Sequence, residues 1–454
     1  MLKDKNNMLV DTIRRFLRRD AISHLSKIIN NTHAADLSIV FRSFSIYQQL
    51  KLFNLILDIE QKADTFSELE EKDLLDLIAH IKDEDVVKIL KYMPADDTTD
   101  LISKLPEERS NKLLESMNFK ESEEVEELLS YGTDTAGGIM IPDYIALRED
   151  ITAKEAIEAL QNDYSEVEMP FYLYVSDEFE KLVGVCSLRQ LVVVSPYTQL
   201  KKIMSTDIFS VRTDTDQEEV AKIVARYDIL AVPVVDENNK LVGIVTVDDV
   251  IDIFRKEATE DILKMAGVGE EFVETQTILR STKTRLPWLF ASCLGGILAF
   301  FVIGQFEDTI AKYAYLAAFM PVILGMGGNI GTQSSTIVVR GIATGRINSH
   351  EIWKVVIKEL TIGVILGCIY GLLIAIVANV RFYDQQFAGY LALAVGLAVL
   401  SSMSIAALVG SFVPMLFEKL HIDPAIATGP FVTTSIDIVS VFFYFSIASI
   451  LLGI

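Results

Sequence analysis

The sequence predicts a multi-domain fold. An all-α superhelical N-terminal domain comes first, then a duplicated α/β segment, a long connecting helix and a five-span α-helical transmembrane domain. Three observations predict this. Five long apolar runs follow Thr284. Of the chain's 63 acids and 41 bases, eight of each also follow Thr284, so 55 acids and 33 bases precede it and carry the whole net charge of −22. Residues 137–260 repeat one strand–helix–strand–turn–strand–helix pattern. An acidic soluble half repels the phosphate backbone, so no nucleic-acid partner is expected. Its charge fits either a solvated surface or an attraction for cations. Cys186, Cys293 and Cys368 are far apart and the five histidines are scattered. That spacing excludes a disulfide framework, a structural zinc site and thiol chemistry. With no nucleophile–base pair or phosphate loop, the chain is not expected to be an enzyme.

The opening "MLKDKNNMLVDTIRRFLRRD" has the pattern of an amphipathic helix. It lacks the apolar core and small-residue cleavage site of a signal peptide. Residues 37–130 follow as short helices punctuated by Pro94 and Pro106. The units "KDEDVVKILKYM", "PADDTTDLISKL" and "PEERSNKLLESM" each carry polar caps and one apolar stripe. None can bury its stripe alone, so residues 1–130 should stack as a superhelix. Asp96 and Asp100 share a helix face, where like charges are unfavourable unless solvated or joined by a cation.

In the duplicated segment "YLYVSDEFEKLVGVCSLRQLV" parallels "VPVVDENNKLVGIVTVDDVID". This resembles a tandem pair of CBS domains, the first over 131–200 and the second over 201–260. The resemblance implies a regulatory module that binds adenosine nucleotides such as ATP. The ribose contact would be an acid closing a Thr/Ser-x-x-Asp turn. The second copy keeps it as Thr246 and Asp249, whereas the first has Ser187 and Gln190. The Gln190 departure sets the first site apart from the family pattern, and the second copy keeps the pattern a nucleotide would need. "VDDVIDIFRKEATEDILK" then gives Asp249, Asp252, Glu257, Glu260 and Asp261, leading into a connecting helix over 261–283. Residues 257, 260 and 261 fall on one side of it, a solvated face or a cation-binding one.

The membrane domain over 284–454 reads as spans at roughly 286–304, 314–339, 355–379, 387–417 and 424–452. Pro321, Pro414 and Pro430 predict kinks. Lys283, Arg285, Arg340, Arg346, Lys354, Lys358 and Lys419 fall on one side, Lys312 and Arg381 on the other. This predicts an integral protein of the cell membrane with a cytoplasmic N-terminus and an external C-terminus. An odd span count excludes a simple inverted repeat and favours a site between two copies. Asp437, in "TTSIDIVS", reads as the lone charge well inside a span. Such a group costs about 2.5–3.5 kcal/mol and marks a cation path by default. Thr433, Thr434 and Ser440 lie within one turn, so a hydroxyl-satisfied carboxylate is the other reading. Asp423-Pro424 has the pattern of a helix cap, with a cation role as the alternative. "GMGGNIGTQSST" at 325–336 offers close backbone approach and neutral oxygens, suited to hydrated Mg²⁺ or to small-residue helix packing.

Taken together these residues resemble the MgtE family of magnesium transporters, above all "GGNIGTQ" at 327–333 and "DPAIATGPFVTTSID" at 423–437. "VRTDTDQEEVA" and "KEATEDI" match as well. The resemblance covers nearly the whole chain. It implies a homodimeric Mg²⁺ channel with its pore at the dimer axis, lined by the second and fifth spans. Asp437 of both copies would hold a largely hydrated Mg²⁺, with Asn329, Thr336, Thr433 and the run from Ala425 to Thr428 beside the path. It also implies closure by cytosolic Mg²⁺ held at Asp96, Asp100, Glu218, Asp228, Asp249, Asp252, Glu257, Glu260, Asp261 and Asp423. Two alternatives stand beside this reading. One is a membrane-anchored adenine-nucleotide sensor. The other is the same channel carrying Co²⁺ or Mn²⁺.

Overall fold

The structure is a computed structural model that describes residues 2–162, 171–268, 278–347 and 351–453. It divides into two compact units, Met1–Phe254 and Arg255–Ile454.

The first unit opens with ten helices, from Leu2–Arg18 to Phe119–Leu129. Their caps explain their shortness. Asp58 accepts from the Glu60 amide, Ser45 and Gln48 form a reciprocal capping box, and Pro94 and Pro106 each occupy an N-cap. Helices two apart in sequence pack on each other from the first to the ninth along the odd row, and from the second to the sixth and the eighth to the tenth along the even row. Leu25, Phe41, Leu52, Phe66, Leu77 and Val86 are buried between them. This is the superhelix that the stripe pattern requires.

Two three-stranded sheets follow. In the first, β1 (Ala146–Arg148) pairs parallel with β2 (Tyr172–Ser176), which pairs antiparallel with β3 (Leu182–Ser187). β4 (Val211–Arg212), β5 (Ala231–Val235) and β6 (Leu241–Thr246) repeat that topology, including an irregularity at Val234/Val235 that matches the one at Val175/Ser176. The turns repeat too. Asp177 accepts from the Phe179 and Lys181 amides, and Asp236 from those of Asn238 and Lys240. The two copies exchange their leading segments. Ile141 bridges to Ile244 of β6, and Ser205 to Val185 of β3. Met140 packs on Gly243 and Met204 on Gly184, where a Cβ would find no room. Leu128 and Ala95 of the helical domain pack into the core of the second copy.

The second unit contains five helices long and apolar enough to cross a membrane: TM1 Ser281–Gly304, TM2 Ala314–Ala343, TM3 Ile352–Arg381, TM4 Ala388–Lys419 and TM5 Pro430–Leu452. TM4 packs against TM2, TM3 and TM5. Its small residues allow this, as at Gly396, which lies against Gly371 of TM3. The structure corrects two expectations. The apolar run 424–452 is two helices, Pro424–Thr428 and TM5, separated by Gly429 at ψ −135°. Each proline starts a helix that it could not continue. Pro321 and Pro430 therefore stand in the first turns of α-helices rather than inside them, whereas Pro414 and Pro287 are interior. Of the connecting region, residues 269–277 lie outside the described residues. The helix Val247–Met265 leads into it and ends at Gly267, whose φ of +69° favours glycine.

Candidate ion path and regulatory carboxylates

The glycine-rich motif leaves its helix, Met320–Ala343, unbroken. Its residues divide between two faces. Gly327 and Gly331 are buried against Ile436 of TM5, with Ser402 and Ala406 of TM4 beside them. Gly325, Asn329, Thr332 and Thr336 recur at helical spacing on the other face, and all four are exposed. A Cβ added at Gly325 or Gly328 would meet nothing within 4 Å. Small-residue packing therefore accounts for one face of the motif, and the opposite face leaves its polar residues exposed. Because Gly327 and Gly331 both touch Ile436, Asn329 stands level with Asp437.

Asp437 is half-buried. The three hydroxyls expected around it bond elsewhere or pack away. Thr433 Oγ1 donates to the Gly429 and Pro430 carbonyls, both at 3.3 Å. Thr434 packs on Gly295 of TM1. Ser440 pairs with Ser402 at 2.8 Å. Among the described residues, Asp437 accepts no hydrogen bond and meets no cation, so the hydroxyl-satisfied reading is not realised. With TM5 starting at Pro430, the acid sits two turns inside one end of the span, not at its centre. It is also not the lone acid there. Glu359 of TM3 is 4% exposed and accepts from Ser334 Oγ of TM2 at 2.8 Å. Sequence reasoning missed it because Lys354 and Lys358 make the start of TM3 look interfacial.

Asp423 caps the helix Pro424–Thr428 through the Ala425 amide at 2.8 Å. Ala425 is buried, and the Thr428 side chain lies outside the described residues. The other Asp423 oxygen meets Lys264 Nζ at 2.7 Å, and the same ammonium pairs with Glu260. Lys264 is only 13% exposed. Gly267 then rests against Gly429 and Pro430. The end of this helix is thus clamped to the break before TM5 by an ion pair and a glycine contact. Glu257 and Asp261 are half-buried on the same helix.

In the first unit, Asp100 is exposed and pairs with Lys104 at 3.6 Å, and Asp96 is half-buried. The more informative acid is their neighbour Asp97. Burial raises its carboxyl above the usual range, and the Asp100, Asp252 and Glu68 charges add to the rise. Burial also pushes Asp249 up to about 7, opposed by the Thr246 hydroxyl and reinforced by Asp248 and Asp97. Ala95 packs into the core of the second copy, and there Asp97 feels the Asp252 charge while Asp249 feels that of Asp97. In sequence the shared helix face singles out Asp96 and Asp100 and passes over Asp97 between them. Glu218 pairs with Lys222 at 2.8 Å, and Asp228 caps the same helix in the left-handed region at φ 51°. Among the described residues, no three His, Cys, Asp or Glu side chains cluster as a preformed metal site.

The two copies close the same local turn, with an acid in the second and an amide in the first. Thr246 and Asp249 are hydrogen-bonded at the end of β6. Ser187 and Gln190 form the matching capping box, and Gln190 Nε2 also donates to the Ile203 carbonyl at 3.1 Å.

Comparison with known proteins is consistent along the chain. Residues 320–447 match a divalent cation transporter model, residues 32–134 the MgtE intracellular N domain, and residues 136–196 and 200–256 CBS domains. The magnesium transporter MgtE of Bacillus subtilis is 38% identical over 329 residues, 72% of each chain. That of Thermus thermophilus is 39% identical over 331 residues, again 72% of each. The solved cytosolic domain of the Mg²⁺ channel MgtE in complex with ATP is 33% identical with a TM-score of 0.51, covering 54% of this chain and 99% of that one. The soluble part of a magnesium transporter is 30% identical with a TM-score of 0.50, covering 56% and 99%. This chain belongs to the MgtE family of magnesium transporters.

Proposed function

We propose that this protein conducts Mg²⁺ into the cell and that cytosolic Mg²⁺ closes it. One observation carries the conduction reading. Among the described residues Asp437 is an unpaired carboxylate in a membrane span, level with Asn329 on the open polar face of TM2. An acid there demands a cation, and the neighbouring oxygens of Asn329, Thr332 and Thr336 suit a hard, hydrated one. The oxygen-only set supports a hard ion such as Mg²⁺ over softer Co²⁺, and Mn²⁺ shares the preference for oxygen. The open faces of TM2 and TM5 support a path between two copies of the chain in a homodimer. The lysines and arginines between spans support a cytoplasmic N-terminus.

Closure would use the carboxylates of the soluble half. Asp97 meets the like charge of Asp252 and Asp249 that of Asp97, and a divalent cation between the two domains would favour the joined arrangement. Asp96, Asp100, Glu218, Asp228, Glu257, Glu260, Asp261 and Asp423 are the further candidates. ATP is proposed as a second regulator at Thr246 and Asp249, because their hydrogen bond presents an acid to a ribose.

The test is Mg²⁺ uptake into vesicles bearing wild type or Asp437→Ala, repeated with Co²⁺ and Mn²⁺. Wild type should take up Mg²⁺, and Asp437→Ala should lose at least 90% of that flux at equal expression. Normal uptake by the variant would overturn the pore assignment.

A further inference from the structure

We propose that Glu359 is the positioning residue of the pore-lining helix. Its carboxylate would hold TM2 in the rotation that turns Asn329, Thr332 and Thr336 to the ion path. The inference rests on the conduction reading above and adds to it a residue outside the path.

Glu359 lies about 10 Å into TM3, counted from Ile352 at 1.5 Å per residue. A buried carboxylate at that depth is costly unless it is hydrogen-bonded. Its partner, Ser334, is itself 1% exposed. Ser335 beside it is fully buried, and its hydroxyl has no partner among the described residues. The back of TM2 therefore has a single polar tie at this level.

At 100° per residue, Ser334 points about 160° away from Thr332 and Thr336, about 140° from Asn329 and about 180° from Gly325. It is the rear of the face whose front is the open polar stripe. Among the described residues, two side-chain hydrogen bonds tie the helix Met320–Ala343 to other spans. One is Ser334 to Glu359, and the other is Ser402 Oγ of TM4 to the Ile323 carbonyl at 3.1 Å; Tyr444 Oη of TM5 ties the preceding turn of TM2 at the Leu316 carbonyl, at 2.7 Å. Ile323 and Ser334 are eleven residues apart, about 16 Å along the axis. The apolar and glycine contacts between them permit sliding. Two bonds so far apart do not. A slip of one residue would carry the stripe through 100° and bury it.

The test separates position from charge. Thr332→Cys is made in the full chain with Cys293 and Cys368 replaced. Its labelling by a charged thiol reagent in vesicles reads the rotation of TM2 directly. Glu359→Gln keeps an acceptor for Ser334 and should leave labelling and Mg²⁺ flux within about two-fold of the parent. Glu359→Leu and Ser334→Ala remove the bond, and each should cut labelling at least ten-fold and lower the preference for Mg²⁺ over Na⁺. The proposal is overturned if Ser334→Ala leaves labelling unchanged, or if Glu359→Gln is as damaging as Glu359→Leu. The second result would make the charge itself the active feature. Should Glu359→Leu fail to fold, Ser334→Ala and Glu359→Gln still decide the matter. Absence of Mg²⁺ flux in the wild type would sink the conduction reading, and labelling would still report the rotation.

Discussion

Asp83 ties two turns of the superhelix together with one carboxylate. Arg109 Nε donates to it at 3.1 Å and Lys112 Nζ at 2.6 Å, while Arg109 Nη2 also donates to the Ile78 and Ile81 carbonyls. The Lys112 hydrogen bond, with the Arg109 charge, holds the Asp83 carboxyl below the usual carboxylate range. The folded pKa is thus below the unfolded one. The stabilisation is present above about pH 4 and is lost as pH falls through the folded value. Asp83→Asn should lower stability by about 1 kcal/mol at pH 7, a figure reduced for partial exposure. The deficit should shrink below about pH 4, read from urea midpoints of residues 1–254. An unchanged deficit at pH 3 would assign it to packing. Legibility in sequence also varies by residue. Asp437 was legible because nothing else charged lies near it in the chain. Glu359 and Asp97 were not, because each sits among other charges and only the packing shows which one turns inward.

At the scale of the element, TM2 does two things that one motif could not separate. Gly331 and Gly410 bring TM2 and TM4 into backbone contact, and a Cβ at Gly410 would strike the Gly331 carbonyl. Gly328 faces open space. Gly410→Ala should therefore destabilise the membrane domain by about 1–3 kcal/mol. Gly328→Ala should leave melting in detergent unchanged while reducing Mg²⁺ flux. Equal melting of the two variants would contradict the two-face assignment. The helix before TM1 gives a second case. Its acids pointed to a cation, and the structure supplies an ammonium, Lys264, between Glu260 and Asp423. Lys264 was invisible to sequence reasoning because Asp423 is 159 residues away. Lys264→Met leaves two carboxylates without it. The clamp should weaken by about 1–2 kcal/mol at low Mg²⁺, roughly ten-fold in its equilibrium. Protease cleavage within 265–277 should then become faster at low Mg²⁺ and be restored to wild-type rates at high Mg²⁺. Cleavage unchanged at low Mg²⁺ would show that Lys264 holds nothing.

Over the whole molecule, charge and apolar length divide the chain in the same place. Residues 1–283 carry the net −22, and five spans follow. Composition alone made both halves legible, and the duplicated strands made the middle legible. The break at Gly429 and the exchange of segments between the two α/β copies were not. They depend on backbone geometry and on partners far away in sequence. The charge division has a consequence for closure. Asp97 and Asp100 belong to the helical domain, and Asp249 and Asp252 to the second α/β copy. Burial, with the Asp100 and Asp252 charges on Asp97 and the Asp97 charge on Asp249, raises both carboxyls. A divalent ion relieves such repulsion at one point, whereas monovalent salt only screens it. Deleting residues 1–130 removes half of this carboxylate set and leaves TM2, TM5 and Asp437 untouched. The truncated chain should still conduct Mg²⁺, but the cytosolic Mg²⁺ needed for half-closure should rise at least ten-fold. Asp97→Asn should shift it in the same direction by a smaller factor. Raising K⁺ to match ionic strength should close neither form. Half-closure unmoved by the deletion would place the sensor elsewhere, in the carboxylates that remain between Glu218 and Asp261.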